Sequence, residues 1–196
     1  MILILDYNVG NVNSIIRAAE LYSSNVKYSN NIEDILNAKK IIMPGQGSFD
    51  YAMENIHKLN IYETIRSVAL DKKTPILGIC LGMQLLATSG TENKFCKGLN
   101  LIEGTVKKLN CPSKYLPHIG WNSVNFEKEN SLFNGIENKL DYYFLHSFHF
   151  ECEDKKNTLA TCEYHSKFNA IVKKKNILGI QFHPEKSLEN GLKLLK

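Results

Sequence analysis

The chain has 196 residues, 43% hydrophobic and 22% charged, which is enough for one domain with a full core. Its net charge of +4 comes from short lysine groups scattered along the sequence (39–40, 72–73, 107–108, 155–156 and 173–175). Without interleaved aromatics these read as solvated loops and helix ends and argue against a nucleic-acid stripe. Five cysteines, an odd count with no Cys-x-x-Cys spacing, argue against a disulfide framework or a zinc site and point to the reducing cytosol. No apolar run approaches the ~20 residues of a membrane helix, and no signal peptide is expected at the start.

From the N-terminus, the unbroken apolar run Met1–Leu5 predicts a buried strand. Val12, Ile15, Ile16 and Ala19 recur at helical spacing, with Asn11 as the N-cap. Strands are expected at Val26–Tyr28 and Lys40–Met43, then one long helix from Asp50 to Leu70. A strand at Ile76–Ile79 and a helix at Met83–Ala87 follow. This strand–helix alternation implies a parallel sheet covered on both faces. The second half is richer in strand signals: Leu101–Leu109, Val124–Phe126, Tyr142–Phe150, Thr158–Cys162, Ala170–Lys173 and Ile177–Phe182. Several are hairpin-like and are expected to lie across one end of the sheet. Leu188, Leu192 and Leu195 close the chain at helical spacing. The expected fold is α/β: a flavodoxin-like three-layer α/β/α sandwich, one domain over 1–196. Its sheet is mostly parallel, with extra antiparallel strands in the second half.

Chemistry concentrates in two segments. In Pro75-Ile76-Leu77-Gly78-Ile79-Cys80-Leu81-Gly82-Met83-Gln84 an apolar run ends on a cysteine flanked at two residues' distance by glycines. That is the cysteine form of the G-x-S-x-G nucleophile elbow, a tight strand-to-helix turn that lifts one side chain clear of the sheet. A side chain at Gly78 or Gly82 would crowd the turn or block substrate. The helix start that follows favours a thiolate, so Cys80 reads as a nucleophile. A buried cysteine that merely fills space is the competing reading of this segment alone.

The second segment is Gly179-Ile180-Gln181-Phe182-His183-Pro184-Glu185. Pro184 keeps His183 out of the helical region, and in extended chain residues two apart share a side. His183 and Glu185 can then form the base and orienter that a cysteine nucleophile needs. A charged surface turn explains His-Pro-Glu alone equally well; it does not explain the pair of segments together.

These residues, with the opening Ile4-Leu5-Asp6-Tyr7-Asn8-Val9-Gly10-Asn11, the turn Met43-Pro44-Gly45-Gln46-Gly47-Ser48-Phe49, and the segments Pro117-His118-Ile119-Gly120-Trp121-Asn122 and Tyr143-Phe144-Leu145-His146-Ser147, carry a resemblance. The chain resembles the triad (class I) glutamine amidotransferases nearly end to end. Within them it is most similar to the glutaminase subunits of imidazole glycerol phosphate synthase, of histidine biosynthesis. The resemblance implies that Cys80 attacks the amide of glutamine, His183 moves the protons and Glu185 orients His183. It implies oxyanion donors in the backbone of Gly45, Gln46, Gly47 and Leu81, and a glutamine pocket at Gln84, Glu92, Ser147 and Phe148. Asn11, Trp121, Tyr143 and Lys186 match positions facing a synthase subunit built as a (β/α)₈ barrel, which receives the ammonia. No cofactor and no metal are expected; His118 and His146 read as hydrogen-bonded structural histidines, because no further ligands stand at useful spacing.

The sequence departs from the family's usual pattern at Asn8 (glycine), Gln46 (valine) and Phe148 (often tyrosine). The acceptor chemistry lies on another chain, so a paralogous synthase that amidates a sugar nucleotide is an alternative destination for the ammonia.

Overall fold

The computed structural model describes residues 1–10, 12–111 and 115–196. In chain order the first half forms β1 (Ile2–Leu5), α1 (Asn13–Glu20), β2 (Val26–Ser29), α2 (Ile32–Asn37), β3 (Lys40–Met43), α3 (Phe49–Lys58), α4 (Tyr62–Leu70), β4 (Ile76–Ile79) and α5 (Leu81–Leu85). The strands stand where the apolar runs put them. Val12 occupies the N-cap position of α1, and the expected cap, Asn11, lies outside the described residues.

The long helix expected over 50–70 is two helices. The break falls at Asn60, whose φ of +56° is in the left-handed region that asparagine tolerates better than most residues. The Ile61 amide then reaches back to the Ile56 carbonyl at 3.2 Å, and the chain restarts as α4. Apolar periodicity runs through the break because both helices bury the same side: Met53, Ile56, Ile65 and Val68 all enter one core. The short α2 went unpredicted; its N-cap is Asn31, whose side chain accepts from the Glu33 amide at 2.8 Å.

The second half forms β5 (Ser89–Gly90), β6 (Cys96–Lys97), β7 (Gly104–Lys108), β8 (His118–Phe126), β9 (Asp141–His146), β10 (Phe148–Cys152), β11 (Thr158–Tyr164), β12 (Ser166–Lys174), β13 (Ile177–Ile180) and α6 (Leu188–Leu195). A nine-stranded sheet runs β2-β1-β3-β4-β13-β12-β11-β8-β9. Its first five strands are parallel and its last four pair antiparallel, so these four extend the sheet rather than cross its end. The strand expected over 142–150 divides at Ser147. Its first part, β9, closes the large sheet, and its second, β10, joins a four-stranded sheet ordered β10-β7-β5-β6.

Alternation along the parallel strands creates the layers. Leu3, Leu5, Ile41 and Met43 face one way, into a core shared with α2, α3, α4 and α5. Ile4, Ile42 and Leu77 face the other way, against Ile15 and Ala19 of α1 and Leu195 of α6. Each fully buried aliphatic side chain contributes about 1.5–3 kcal/mol by leaving water. Strands covered on both faces leave only their ends for function. At their carboxyl ends β1, β3, β4 and β13 release, in turn, Asp6–Gly10, Pro44–Gly47, Cys80 and Gln181–Glu185.

Candidate active site

The elbow is built by close backbone packing. Cys80 sits at φ +53°, ψ −108° between β4 and α5, a strained conformation for a residue with a side chain. A Cβ on Gly78 would lie 2.5 Å from the Gly82 carbonyl oxygen, and one on Gly82 would lie 1.8 Å from the Met43 carbonyl oxygen. Both glycines are therefore demanded by sterics, one inside the turn and one against the end of β3. The Cys80 amide donates to the Ile180 carbonyl at 2.7 Å, tying the elbow to β13.

The neighbouring strand delivers the histidine. Gly78 pairs with Gly179 and Ile79 with Ile180, so the segments after β4 and β13 leave the sheet side by side. His183 is extended, at φ −97° and ψ 95°, ahead of Pro184. Glu185 reaches it differently from the expected extended chain: residues 184–186 form a single 3-10 turn that folds the carboxylate back. Glu185 Oε1 stands 2.8 Å from His183 Nδ1. Accepting that proton fixes Nδ1 as the donor and leaves Nε2 as the ring nitrogen that can take a proton. Nε2 is buried and has no hydrogen-bond partner among the described residues.

Burial by itself would lower the His183 pKa. The negative charge that Cys80 acquires on ionising and the Glu185 carboxylate, which accepts a hydrogen bond from the ring, outweigh it and raise the pKa to about 10. The histidine is thus held as a cation whenever the sulfur is an anion. Ser187 secures the backbone beneath it: its hydroxyl donates to the His183 carbonyl at 2.6 Å and accepts from the Tyr143 amide at 2.9 Å.

Cys80 opens onto a cavity of about 300 Å³ lined by Gln46, Gly47, Leu81, Gln84, Glu92, Leu145, Ser147 and Phe148 among others. The expected oxyanion and glutamine residues therefore converge on the nucleophile, except that Gly45 lines a smaller recess with His183, Glu185 and Val9. The Pro44–Gly47 turn rests on the elbow. A Cβ on Gly45 would come within 3.1 Å of Leu81 Cβ and 2.9 Å of the Tyr7 hydroxyl. Gly47 has φ +133°, a conformation that side chains resist. The buried Tyr7 hydroxyl donates to the Pro44 carbonyl.

Within the cavity, Glu92 Oε2 accepts from the Phe49 amide at 2.8 Å, capping α3. Desolvation raises the Glu92 pKa against that hydrogen bond, so a cation beside it is favoured. Gln84 is committed to the protein: its Nε2 donates to the Phe148 carbonyl at 2.8 Å and to Gln181 Oε1 at 3.1 Å. The Ser147 carbonyl accepts from the Leu109 amide at 2.9 Å.

His118 and His146 behave as structural histidines. His146 Nδ1 lies 2.9 Å from the Phe148 carbonyl, which can only accept, so its Nε2 accepts from His118 Nδ1 at 3.1 Å. Burial lowers both pKa values, His118 to about 4 and His146 to about 3, and holds the pair neutral. Among the described residues no three His, Cys, Asp or Glu side chains cluster as metal ligands.

Of the expected partner-facing residues, Trp121 and Tyr143 pair across β8 and β9 with rings 6.1 Å apart, edge to face. Trp121 is 48% exposed and its neighbour Ile119 58%. Lys186 is exposed on the 3-10 turn, and Asn11 is outside the described residues. Asn8, which replaces a glycine, takes φ +59° and so keeps the backbone that glycine would supply. Sequence reasoning missed individual roles for Tyr7, Gln181 and Ser187. Tyr7 and Gln181 stand inside motifs already singled out and Ser187 two residues beyond one, and no spacing rule marks a buried polar brace.

A strained cysteine beside a histidine–carboxylate pair, at the carboxyl end of a parallel sheet, is arranged for attack on an acyl carbon. The sequence model of the family described as glutamine amidotransferase class-I matches residues 3–196. The chain belongs to that family. A Methanococcus maripaludis relative, imidazole glycerol phosphate synthase subunit HisH 2, is 43% identical over 197 residues, covering 100% of this chain and 97% of its own. The Methanocaldococcus jannaschii protein imidazole glycerol phosphate synthase subunit HisH is 45% identical over 196 residues, with 100% and 97% covered. Among solved structures, a glutamine amidotransferase superposes with TM-score 0.76 at 17% identity, covering 98% of this chain and 94% of that one. PurLQS from Thermotoga maritima gives 0.75 at 18%, with 99% and 94% covered; at such identities the likeness is one of fold.

Proposed function

We propose that this chain is the glutaminase subunit of an imidazole glycerol phosphate synthase, releasing ammonia from glutamine for a separate synthase subunit in histidine biosynthesis. The observation that carries the chemistry is Cys80 at φ +53°, opening onto the cavity beside the His183–Glu185 pair. The acceptor follows from the full-length relatives at 43–45% identity, which bear that synthase's name; a sugar-nucleotide acceptor is not favoured by them.

The Cys80 sulfur, as its anion, attacks the side-chain amide carbon of glutamine. The oxygen of the tetrahedral intermediate is met by the backbone amide of Leu81 and one from Gly45–Gly47. His183 gives its Nε2 proton to the departing nitrogen, and ammonia leaves a γ-glutamyl thioester. Water then loses a proton to His183 and cleaves the thioester, yielding glutamate and restoring the sulfur. Glu185 keeps the imidazole oriented and its cationic form favourable. Glu92 takes the α-ammonium of glutamine, and the Ser147–Phe148 backbone and Gln84 shape the rest of the pocket.

The partner is a (β/α)₈-barrel cyclase, joined as a heterodimer through Trp121, Tyr143, Lys186 and Asn11. The whole of 1–196 acts as one domain, without nucleic acid, in the cytoplasm. Among the described residues no helix is long and apolar enough to cross a membrane. The test is glutamine-dependent product formation by the chain with such a cyclase: Cys80→Ala must abolish it while ammonium salts still support synthesis. Synthesis from glutamine that survives Cys80→Ala contradicts the proposal.

A further inference from the structure

Gln181 is fully buried where β13 ends, between the nucleophile and the glutamine pocket. Its backbone amide is fixed to the Ala170 carbonyl at 2.9 Å. Among the described residues its side chain has two hydrogen-bonding neighbours, Gln84 Nε2 at 3.1 Å and Cys80 Sγ at 3.8 Å.

The hydrogen-bond network decides which end of that side-chain amide faces the sulfur. The Phe148 carbonyl can only accept, so the Gln84 atom 2.8 Å from it is the nitrogen. That nitrogen also faces Gln181 and donates there, so the Gln181 atom nearest it is the oxygen. The Gln181 nitrogen is then left pointing to Sγ, and flipping it would oppose two donors and waste an acceptor. We propose that Gln181 is a positioning residue for the nucleophile: locked by Gln84, its amide donates a hydrogen bond to the Cys80 sulfur and holds the anion aimed into the cavity.

This role rests on Cys80 being the nucleophile, and it adds a neutral donor to the cationic one of His183. A hydrogen bond to a charged acceptor is stronger than one to a neutral acceptor, so the bond tightens when the sulfur ionises. The same linkage runs back to the pocket, because Gln84 lines it and the Phe148 carbonyl anchors Gln84.

The test is the pH dependence of Cys80 alkylation by iodoacetamide in the full chain, followed by mass spectrometry of the Cys80 peptide. In Gln181→Met, which removes the donor at similar volume, the pH of half-maximal alkylation rate is expected to rise by about one unit. In Gln181→Glu, which puts an acceptor and a charge in its place, it rises further. With the cyclase partner, kcat for glutamine falls about 10–100-fold in Gln181→Met while KM changes less than about threefold. Gln84→Leu keeps Gln181 but frees its amide to turn, and gives part of the same displacement should the Gln181 variants not fold. Wild-type alkylation profiles in these variants overturn the role of Gln181 alone. Glutaminase activity surviving in Cys80→Ala, measured alongside, overturns Cys80 as nucleophile and this role with it.

Discussion

In the proposed mechanism three side chains carry the chemistry, and their expected losses differ in size. Cys80→Ala is expected to lower glutaminase turnover by about 10⁴-fold or more, as removal of an obligate nucleophile does. His183→Asn should be nearly as severe. Glu185→Gln should be about 10–100-fold milder, because the reacting atoms stay in place when only the orienter changes. Steady-state glutamate release in the three variants checks this ordering, and equal small losses contradict it. His183 also ties stability to pH. Its folded pKa lies above the unfolded value of about 6.5, so its contribution is present in full below about pH 6.5 and is lost as pH climbs to about 10. Urea unfolding of the wild type should therefore weaken over that window. Cys80→Ala should flatten the loss, because the charge that contributes most to raising the histidine is gone.

At the scale of elements, the elbow joins β4, β3 and α5 through two glycines. Gly82→Ala drives a Cβ to 1.8 Å from the Met43 carbonyl oxygen, so strand and helix must separate. Overpacking of this kind costs about 1–3 kcal/mol, enough to lower the melting temperature by about 2–10 °C in thermal unfolding. The β8–β9 pair supplies a second pH effect of opposite sign. His118 and His146 titrate below their unfolded values, so their contribution is present above about pH 6.5 and lost as pH falls to about 4 and about 3. His118→Phe, in a ring already stacked between Phe144 and Tyr164, should reduce the acid sensitivity of the urea midpoint.

The parallel strands and the elbow were legible in the sequence because a doubly covered strand is an unbroken apolar run and a steric demand for glycine shows directly. The break at Asn60 was not legible, since apolar spacing persists through it. Nor was the crossing at Ser147, where one continuous run serves two sheets and only tertiary pairing divides it. At the site, Cys80, His183 and Glu185 could be read from motif spacing. The 3-10 turn that brings Glu185 home is a local geometry that alternation does not announce, and the Gln84–Gln181 brace joins positions 97 residues apart.

On the scale of the whole molecule, exposed Ile119 and Trp121 on β8, with half-buried Tyr143 and Leu145 beside them on β9, form a stripe near the site, and the Leu145 carbonyl stands 3.7 Å from Cys80 Sγ. In the proposed heterodimer the cyclase docks there, covering surface that otherwise costs solubility and closing the path of ammonia against water. Trp121→Ala is expected to weaken the heterodimer by about 30-fold in Kd, the size of an aromatic hot spot, measured by titration calorimetry. It should leave Cys80 alkylation in the free chain unchanged.

The most direct measurement is glutamate release by the purified chain alone, with the cyclase subunit, and with the cyclase and its phosphorylated acceptor together. In the proposed mechanism the Pro44–Gly47 turn, with Gly47 at φ +133°, is where one peptide turns an amide onto the oxyanion. One oxyanion donor is worth about 10²–10³ in rate. Release is expected to rise by at least that factor when partner and acceptor are both present, with synthase product formed in step. Full glutaminase activity of the isolated chain, unchanged by the cyclase and its acceptor, would contradict it and mark a free-standing hydrolase.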